Sequence, residues 1–524
     1  MVDLIRARNG QLSAAANGRT LYSRYDPAAE AARFVTRELS AQSTEPPVVL
    51  IVGAGLGYLS AAVRAALPRS RSIAIHLDTT LYANRLANAD HQWCGEDVRT
   101  DFARFLETHL SDEDIDGLFV LQWEPCVRVF SDKAQAILGT VRDFLDRRSA
   151  TLATERHFGA RWVANSVRNA IEARPLRQLK GGRIPVIVAA AGPSLCDSLA
   201  TIAGRGAGVA LWALSSAVPI LLQAGCPPDL VIATDAGYFA AEHLRALATH
   251  PHIPIAAPLS ARTALLLRRN QTLVINQGSW YERDLLQRIG LPSVQLPPHG
   301  TVAGTAWYLA AALGAGEVIF AGLDLCLRDI HSHPRGHAFE PLLRGNARRL
   351  RPYHHILFER NFVPSRPVHP TATVRISRPL STYAAWFRSA AASGPVKAAR
   401  LRPSEVDLGL PECHRLPRRV TAAVVRPAAG SPAPIERRMA VSRCVDQWRR
   451  QAEALADALA VAPGKRDRAQ TRAAEIARSV DTAGYLRALR ERRSGGCRGD
   501  AGEQLEQQLA RFFDRLQLAV ERAP

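Results

Sequence analysis

Residues 186–199 read VIVAAAGPSLCDSL, and the fold is decided by where this stretch breaks. Val186 to Ala190 is an unbroken apolar run, the pattern of a strand buried on both faces. Ala191-Gly192-Pro193 is a tight turn: Gly192 frees the backbone and Pro193 suits the first position of a helix. Ser194 opens that helix and can cap it or present its hydroxyl, while the unpaired N–H groups of the first turn face whatever docks. A strand–Gly–helix junction of this kind is either a phosphate seat or a plain structural turn.

The residues that follow favour a seat. Strand-like segments recur at 184–190, 208–216, 227–237, 253–259, 271–277, 293–298 and 317–325. Helical segments fall between them at 218–225, 239–248, 261–269, 280–289 and 300–313. Alternation of this kind predicts a doubly wound, mainly parallel α/β sheet. Such sheets bind ligands beyond the carboxyl ends of their strands. There the chain places Gly192, Pro193 and Ser194, then Ser215 and Ser216, Asp235, Gln277, His299, Gly300 and Thr301, and Asp324. After Asp324 comes CLRDIHSHPRGHAFE (326–340), with histidines at 331, 333 and 337 and a further aspartate, Asp329. The spacing matches no standard metal site. A single histidine acting as general acid or base needs no such spacing, only a place beside the substrate. A Pro/Arg-rich stretch (340–378) is a candidate lid, and 381–392 is helical.

Toward the N-terminus, PPVVLIVGAGLGYLSAAVRAAL (46–67) and SIAIHLD (72–78) make a Rossmann-like βαβ opening, with Asp78 after the second strand. The glycines Gly53, Gly55 and Gly57 are spaced G-x-G-x-G, closer to a methyltransferase loop than to a nicotinamide one. The alternative is a Rossmann-like domain that binds nothing at this loop. A further strand is expected within 117–125 and helices at 141–150 and 151–178, the last carrying Trp162, Asn165 and Asn169. Beyond a Pro/Ala/Gly-rich stretch (417–436), Val441, Val445, Trp448, Ala452, Leu455 and Leu459 form an apolar helical stripe, and Leu505, Leu509, Phe512, Leu516 and Val520 form another. The expected organisation is an N-terminal Rossmann-like domain (1–165), a central domain (166–395), a linker (396–436) and a C-terminal helical domain (437–524).

Composition narrows the class. The hydrophobic fraction is 47% and the charged fraction 22%, as in globular proteins. The net charge of +19 rests on 67 basic against 48 acidic residues, of which only Lys133, Lys180, Lys397 and Lys465 are lysine. An arginine habit spread along the chain does not single out nucleic acid, and none is expected as partner. The eight cysteines are scattered without a CxxC pair, which argues against a zinc ribbon or disulfide scaffold. No apolar run reaches the roughly 18 residues of a membrane span, and MVDLIRARNGQLS lacks the apolar segment of a secretory signal. A cytoplasmic protein without membrane insertion is expected.

Four stretches together resemble the motility accessory factor family of flagellin glycosyltransferases, whose central domain is shared with archaeal 6-hydroxymethylpterin pyrophosphokinase-like proteins. LYSRYDPAAEA (21–31) resembles the family's N-terminal Ser-x-Tyr-Asp-Pro signature. AAAGPSL (189–195) resembles its Gly-x-Gly-Pro-Ser-Leu motif, with Ala190 in place of the first glycine. PPDLVIATDAG (227–237) resembles its Pro-Asp…Asp-Pro strand, with Ala236 in place of proline. GTVAGTAWYLAAALGAGEVIFAGLDL (300–325) resembles its helix–strand–Gly-x-Asp-Leu segment.

The resemblance implies a central domain like the sialyltransferases that use CMP-activated sugars. The donor would be a CMP-nonulosonic acid of pseudaminic or legionaminic type, and the acceptor a Ser or Thr of flagellin. Gly192, Pro193 and Ser194 would seat the CMP phosphate, and Ser215, Ser216 and Asp235 would contact ribose or base. Gly300 and Thr301 would add helix-start N–H groups toward the donor's carboxylate or phosphate. His331 or His333 would be the general base, with Asp324 a further catalytic candidate, and arginines of 335–360 would neutralise the donor. No metal is assigned, and no cofactor beyond the CMP-sugar co-substrate. The alternatives are an ATP- and Mg²⁺-dependent pterin pyrophosphokinase, a methyltransferase using Gly53–Gly57 and Asp78, and a non-catalytic flagellin-binding accessory protein.

Overall fold

The computed structural model describes residues 2–523 except 41, 43–44, 181, 370–373, 403, 414–415, 417–423, 426–432, 462–464 and 494–499. The chain forms two compact units, one of residues 1–159 and 449–512, the other of 160–448 and 513–524.

The first unit opens with an antiparallel meander of β1 (Val2–Arg6), β2 (Leu12–Ala16) and β3 (Arg19–Thr20). Its parallel sheet follows the order β6-β5-β4-β7, built from β4 (Val48–Val52), β5 (Arg71–Ile75), β6 (His91–Trp93) and β7 (Phe119–Gln122). This is the Rossmann half-sheet order, counted 3-2-1-4. The SRYDP signature proves to be a helix start. Asp26 caps the helix Pro27–Leu39 by accepting the Ala29 N–H at 2.9 Å, and Glu30 reaches back to the Ser23 N–H at 2.7 Å.

In the second unit two short strands, β8 (Arg174–Pro175) and β9 (Leu179–Lys180), precede β10 (Pro185–Ala189). Then come β11 (Ala210–Leu214), β12 (Leu230–Ile232), β13 (Ile255–Pro258), β14 (Gln271–Asn276), β15 (Ser293–Gln295) and β16 (Glu317–Ala321). An antiparallel pair, β17 (Ser365–Pro367) and β18 (Arg375–Ser377), precedes β19 (Ala398–Arg400). The sheet order is β15-β14-β13-β12-β11-β10-β16-β19, parallel throughout. Both faces are covered, which is why its strands are continuously apolar. Val186, Val188, Trp212 and Phe320 pack with Trp307 and Phe387 on one face. Ile187, Ala189, Leu211 and Ile319 pack with Leu195 and Leu221 on the other. Strand order reverses between β10 and β16, so the crevice of a doubly wound sheet is expected where those two strands end.

Three sequence expectations change. The helices expected at 141–150 and 151–178 are one helix, Ser131–Glu172. The region from 396 is not a linker at its start: β19 pairs with β16, and Val406 and Leu408 are buried in the central core. Three residues of Ala-Ala-Arg carry too little periodicity to betray a strand. The remainder of the expected linker falls largely on residues outside those described. Nor do residues 437–524 form a bundle of their own, since 449–512 pack with the first unit. Arg478 donates to Asp112 and Glu155 at 2.6 Å each, and buried Tyr485 and Arg466 both donate to Glu113. Among the described residues no helix is long and apolar enough to cross a membrane.

Candidate active site at the carboxyl edge of the central sheet

The loops after β10 and β16 are laced together. The Gly192 N–H donates to Gly322 O at 2.8 Å, and a Cβ on Gly192 would lie 2.3 Å from that oxygen. Asp324 accepts from the Ser194 N–H and from the Ser194 hydroxyl, both at 2.6 Å, and both residues are buried. The first turn of the helix Leu195–Ala203 thus already holds an anion, supplied by the protein. Pro193, buried in the turn, sets this geometry. Ser404 donates to the Asp324 main-chain oxygen at 2.9 Å and is itself held by Arg400. The expected phosphate contact of Ser194 and the expected catalytic carboxylate of Asp324 are therefore bound to each other.

Further along the edge, Ser215 shares a hydrogen bond with His243 Nδ1 at 3.3 Å, and Ser216 is half-buried beside it. Asp235 is exposed. Its Oδ1 accepts from the Gly237 N–H and its main-chain oxygen from the Arg262 N–H, each at 2.8 Å. Thr301 caps the helix Val302–Ala312 by accepting the Gly304 N–H at 2.9 Å, with exposed Gly300 just ahead. That helix packs against β10, β11 and β16. His299 packs at a tilt on Tyr308 and edge-on to Trp386; its buried Nε2 has no partner among the described residues, and burial lowers its pKa.

The histidine loop divides. His333 bonds Ser332 Oγ at 2.9 Å and lies 5.2 Å, ring to ring, from His337. His243, from the helix Ala240–Leu244, packs on Phe339 at 4.3 Å and faces the same group. Burial first, then the neighbouring His337 and His243, pushes His333 down to about 3. Burial also lowers His337 and His243. His331 stands apart, beside His354, and is lowered by burial and by that neighbour. All four are neutral at pH 7 and able to accept a proton. A groove of about 970 Å³ runs past His337, Glu340 and Arg344. The loop arginines expected to meet the donor are in part spoken for, since Arg344 pairs with Glu340 and Arg351 with Glu359. Among the described residues no three His, Cys, Asp or Glu side chains gather as metal ligands.

The glycine loop of the first unit is closed by its own chain. Gly53 and Ala54 N–H donate to Ile75 O, Gly57 N–H to Ala54 O, and Leu56 N–H to the Tyr22 hydroxyl at 2.9 Å. A Cβ on Gly55 would lie 1.8 Å from Tyr22 Oη, and one on Gly57 2.4 Å from Leu86 O. Asp78, the residue placed for a ribose, caps the helix Thr79–Ala83 through the Leu81 N–H. Buried His76 contacts Gly55 O at 3.0 Å and is pushed by burial to about 4. These glycines serve close packing rather than an open cradle.

Comparison with known proteins gives these features a setting. The family described as 6-hydroxymethylpterin diphosphokinase MptE-like matches residues 161–329. Residues 161–329, within the second unit, are similar to that family. A Treponema pallidum (strain Nichols) protein described as uncharacterized is 31% identical over 301 residues, which cover 56% of this chain and 62% of that protein. The match thus spans less than two thirds of the relative's length. The fold of the chain matches the structure of MAf glycosyltransferase from Magnetospirillum magneticum AMB-1 with a TM-score of 0.59, over 99% of this chain and 92% of that one, at 13% identity.

Within the second unit, Ser194, Ser215, Asp235, Thr301 and Asp324 follow strands of one sheet at one edge, as the strand pattern predicts. His243 and Arg262 escaped sequence reasoning. His243 lies in an ordinary amphipathic helix, and only contact with Ser215 reveals it. For Arg262 the available signal was Asn165 and Asn169, one turn apart. Asn165 donates to Ser260 O at 3.0 Å, and Asn169 to Leu259 O and Ala261 O at 2.7 and 2.8 Å. They fasten the loop that carries Arg262.

Proposed function

We propose that this chain is a cytoplasmic glycosyltransferase that moves a nonulosonic acid, of pseudaminic or legionaminic type, from a CMP-activated donor to a Ser or Thr hydroxyl of flagellin, a step in flagellar assembly and motility. The observation that carries this is the fold match to a Maf glycosyltransferase across nearly the whole chain. The row of small, polar and histidine side chains at the carboxyl edge supports it. In this account His331 takes the proton of the acceptor hydroxyl as its oxygen bonds to the anomeric carbon, and the bond from that carbon to the phosphate oxygen breaks with its electron pair leaving on CMP. Ser215, Ser216 and Asp235 hold ribose or base, and the helix start at Gly300 and Thr301 faces the donor. The transition state is oxocarbenium-like, so positioned hydrogen-bond donors around the leaving group supply most of the stabilisation.

A ligand panel on the full chain tests this. CMP and CDP are expected to raise the melting temperature, because a ligand specific to the native state stabilises it, whereas S-adenosylmethionine is expected to leave it unchanged. The diphosphokinase reading, favoured by the family matching residues 161–329, requires a response to ATP–Mg²⁺ and none to cytidine nucleotides. For that Mg²⁺ the edge offers exposed Asp235, Asp324 being engaged by Ser194. Silence across the panel would favour a non-catalytic flagellin-binding role.

The base is tested separately. His331→Ala is expected to lower kcat by about 10²–10⁴-fold, with an unchanged melting temperature, when transfer to purified flagellin is followed by mass spectrometry. Because burial lowers the His331 pKa, its neutral form persists on acidification, so the acid limb of kcat/KM lies below pH 6.5. A limb at or above that pH, or full activity of the variant, would remove His331 from the mechanism.

A further inference from the structure

The anionic donor of the proposed reaction needs a cationic seat, and the seat expected at Ser194 already holds Asp324. Two half-buried arginines lie elsewhere on the same edge. Arg262 follows β13, its main-chain N–H fixed to Asp235 O at 2.8 Å. Its Nε is buried without a hydrogen-bond partner among the described residues. Arg168 lies on the helix Ser131–Glu172 three residues after Asn165 and one before Asn169. Those asparagines grip the carbonyls of 259–261, immediately before Arg262. Residues 165, 168 and 169 share one helix face, so Arg168 is presented to the same loop. Arg168 adds repulsion to the burial that lowers the Arg262 pKa, and Tyr238, exposed on the loop after Asp235, is its other charged-state neighbour.

Neither arginine has a carboxylate partner among the described residues, unlike Arg344 and Arg351. Holding two like charges together and partly desolvated costs free energy unless something of opposite charge joins them. Guanidinium forks match phosphate and carboxylate oxygens in pairs.

We propose that Arg168 and Arg262 form an anion-binding subsite at the carboxyl ends of β12 and β13, which takes a phosphate or carboxylate of the substrate. The identity of that substrate rests on the transferase reading; the presence of the subsite does not.

Calorimetry on the full chain tests it with four probes: CMP, cytidine, N-acetylneuraminate and inorganic pyrophosphate. Arg168→Gln and Arg262→Gln are each expected to weaken the anion by about ten- to a hundredfold and to leave cytidine binding unchanged, with partial recovery in Arg262→Lys. Weakened CMP assigns the subsite to the phosphate, and weakened N-acetylneuraminate assigns it to the carboxylate. The glutamine variants should melt no lower than the parent, because each removes an uncompensated charge. If CMP does not bind but pyrophosphate does, and the variants weaken it, the subsite stands while the transferase reading falls. Anion affinities unchanged in both single variants and in the double variant, or no anion binding by the parent chain, would overturn the subsite.

Discussion

Asp324→Ala is expected to destabilise the second unit by about 3–6 kcal/mol, at about 1.5–3 kcal/mol for each lost hydrogen bond to a charged group. The carboxylate accepts two bonds of 2.6 Å from Ser194, and both residues are buried. Removing it leaves an N–H and a hydroxyl without partners inside the crevice between β10 and β16. Asp324→Asn keeps one oxygen acceptor and should lose about half as much. Denaturant melts read the effect, and Ser194→Ala closes a double-mutant cycle in which strong coupling is expected. A catalytic Asp324 would behave oppositely: the asparagine variant would melt like the parent and transfer nothing. That outcome would reassign the clasp as part of the chemistry.

Tyr22→Ala is expected to cost about 3–5 kcal/mol in the first unit, the usual price of deleting a buried aromatic ring. Tyr22 stacks on Trp123 at 5.8 Å, meets Tyr58 edge-on at 5.7 Å, and its hydroxyl receives the Leu56 N–H. Tyr22→Phe separates the two contributions, keeping the ring and leaving that N–H unpaired for about 1–3 kcal/mol. Burial holds the phenol well above its ordinary pKa, so it remains protonated through neutral pH. Neither variant should bind S-adenosylmethionine, because Leu86 O also closes the loop at Gly57. Calorimetric binding of that cofactor by the parent chain would show that Tyr22 moves aside and that the loop is a site after all.

The α/β architecture was legible because buried parallel strands announce themselves as apolar runs, as Val186–Ala190 and Val48–Val52 do. The edge residues followed from strand order alone. What was not legible is pairing. Ser194 and Asp324 are 130 residues apart, and nothing local tells Asp324 to turn toward the helix start rather than toward solvent. Gly53, Gly55 and Gly57 were conspicuous for the right physical reason, close approach, but the approaching groups are Cys126, Tyr22 and Leu86 rather than a ligand. His331 and His333 read alike in the chain and differ in the fold, one beside His354 and the other packed against His337. β19 escaped notice because a three-residue edge strand has no pattern to recognise.

The two compact units are each assembled from separated stretches of chain, 1–159 with 449–512 and 160–448 with 513–524. A ribosome emits these stretches in alternation. When residue 159 has left the exit tunnel, the Rossmann-like half-sheet is present, yet the helices that place Arg466, Arg478 and Tyr485 against Asp112, Glu113 and Glu155 have not been synthesised. Asp112 has Arg148 beside it at 3.1 Å within the first stretch, but the bonds of Glu113 to Arg466 and Tyr485 must wait until all of 160–448 has been made. Sequential domain-by-domain completion, the usual protection of long chains during synthesis, is closed to this protein, and neither unit reaches its final packing until most of the other has been made.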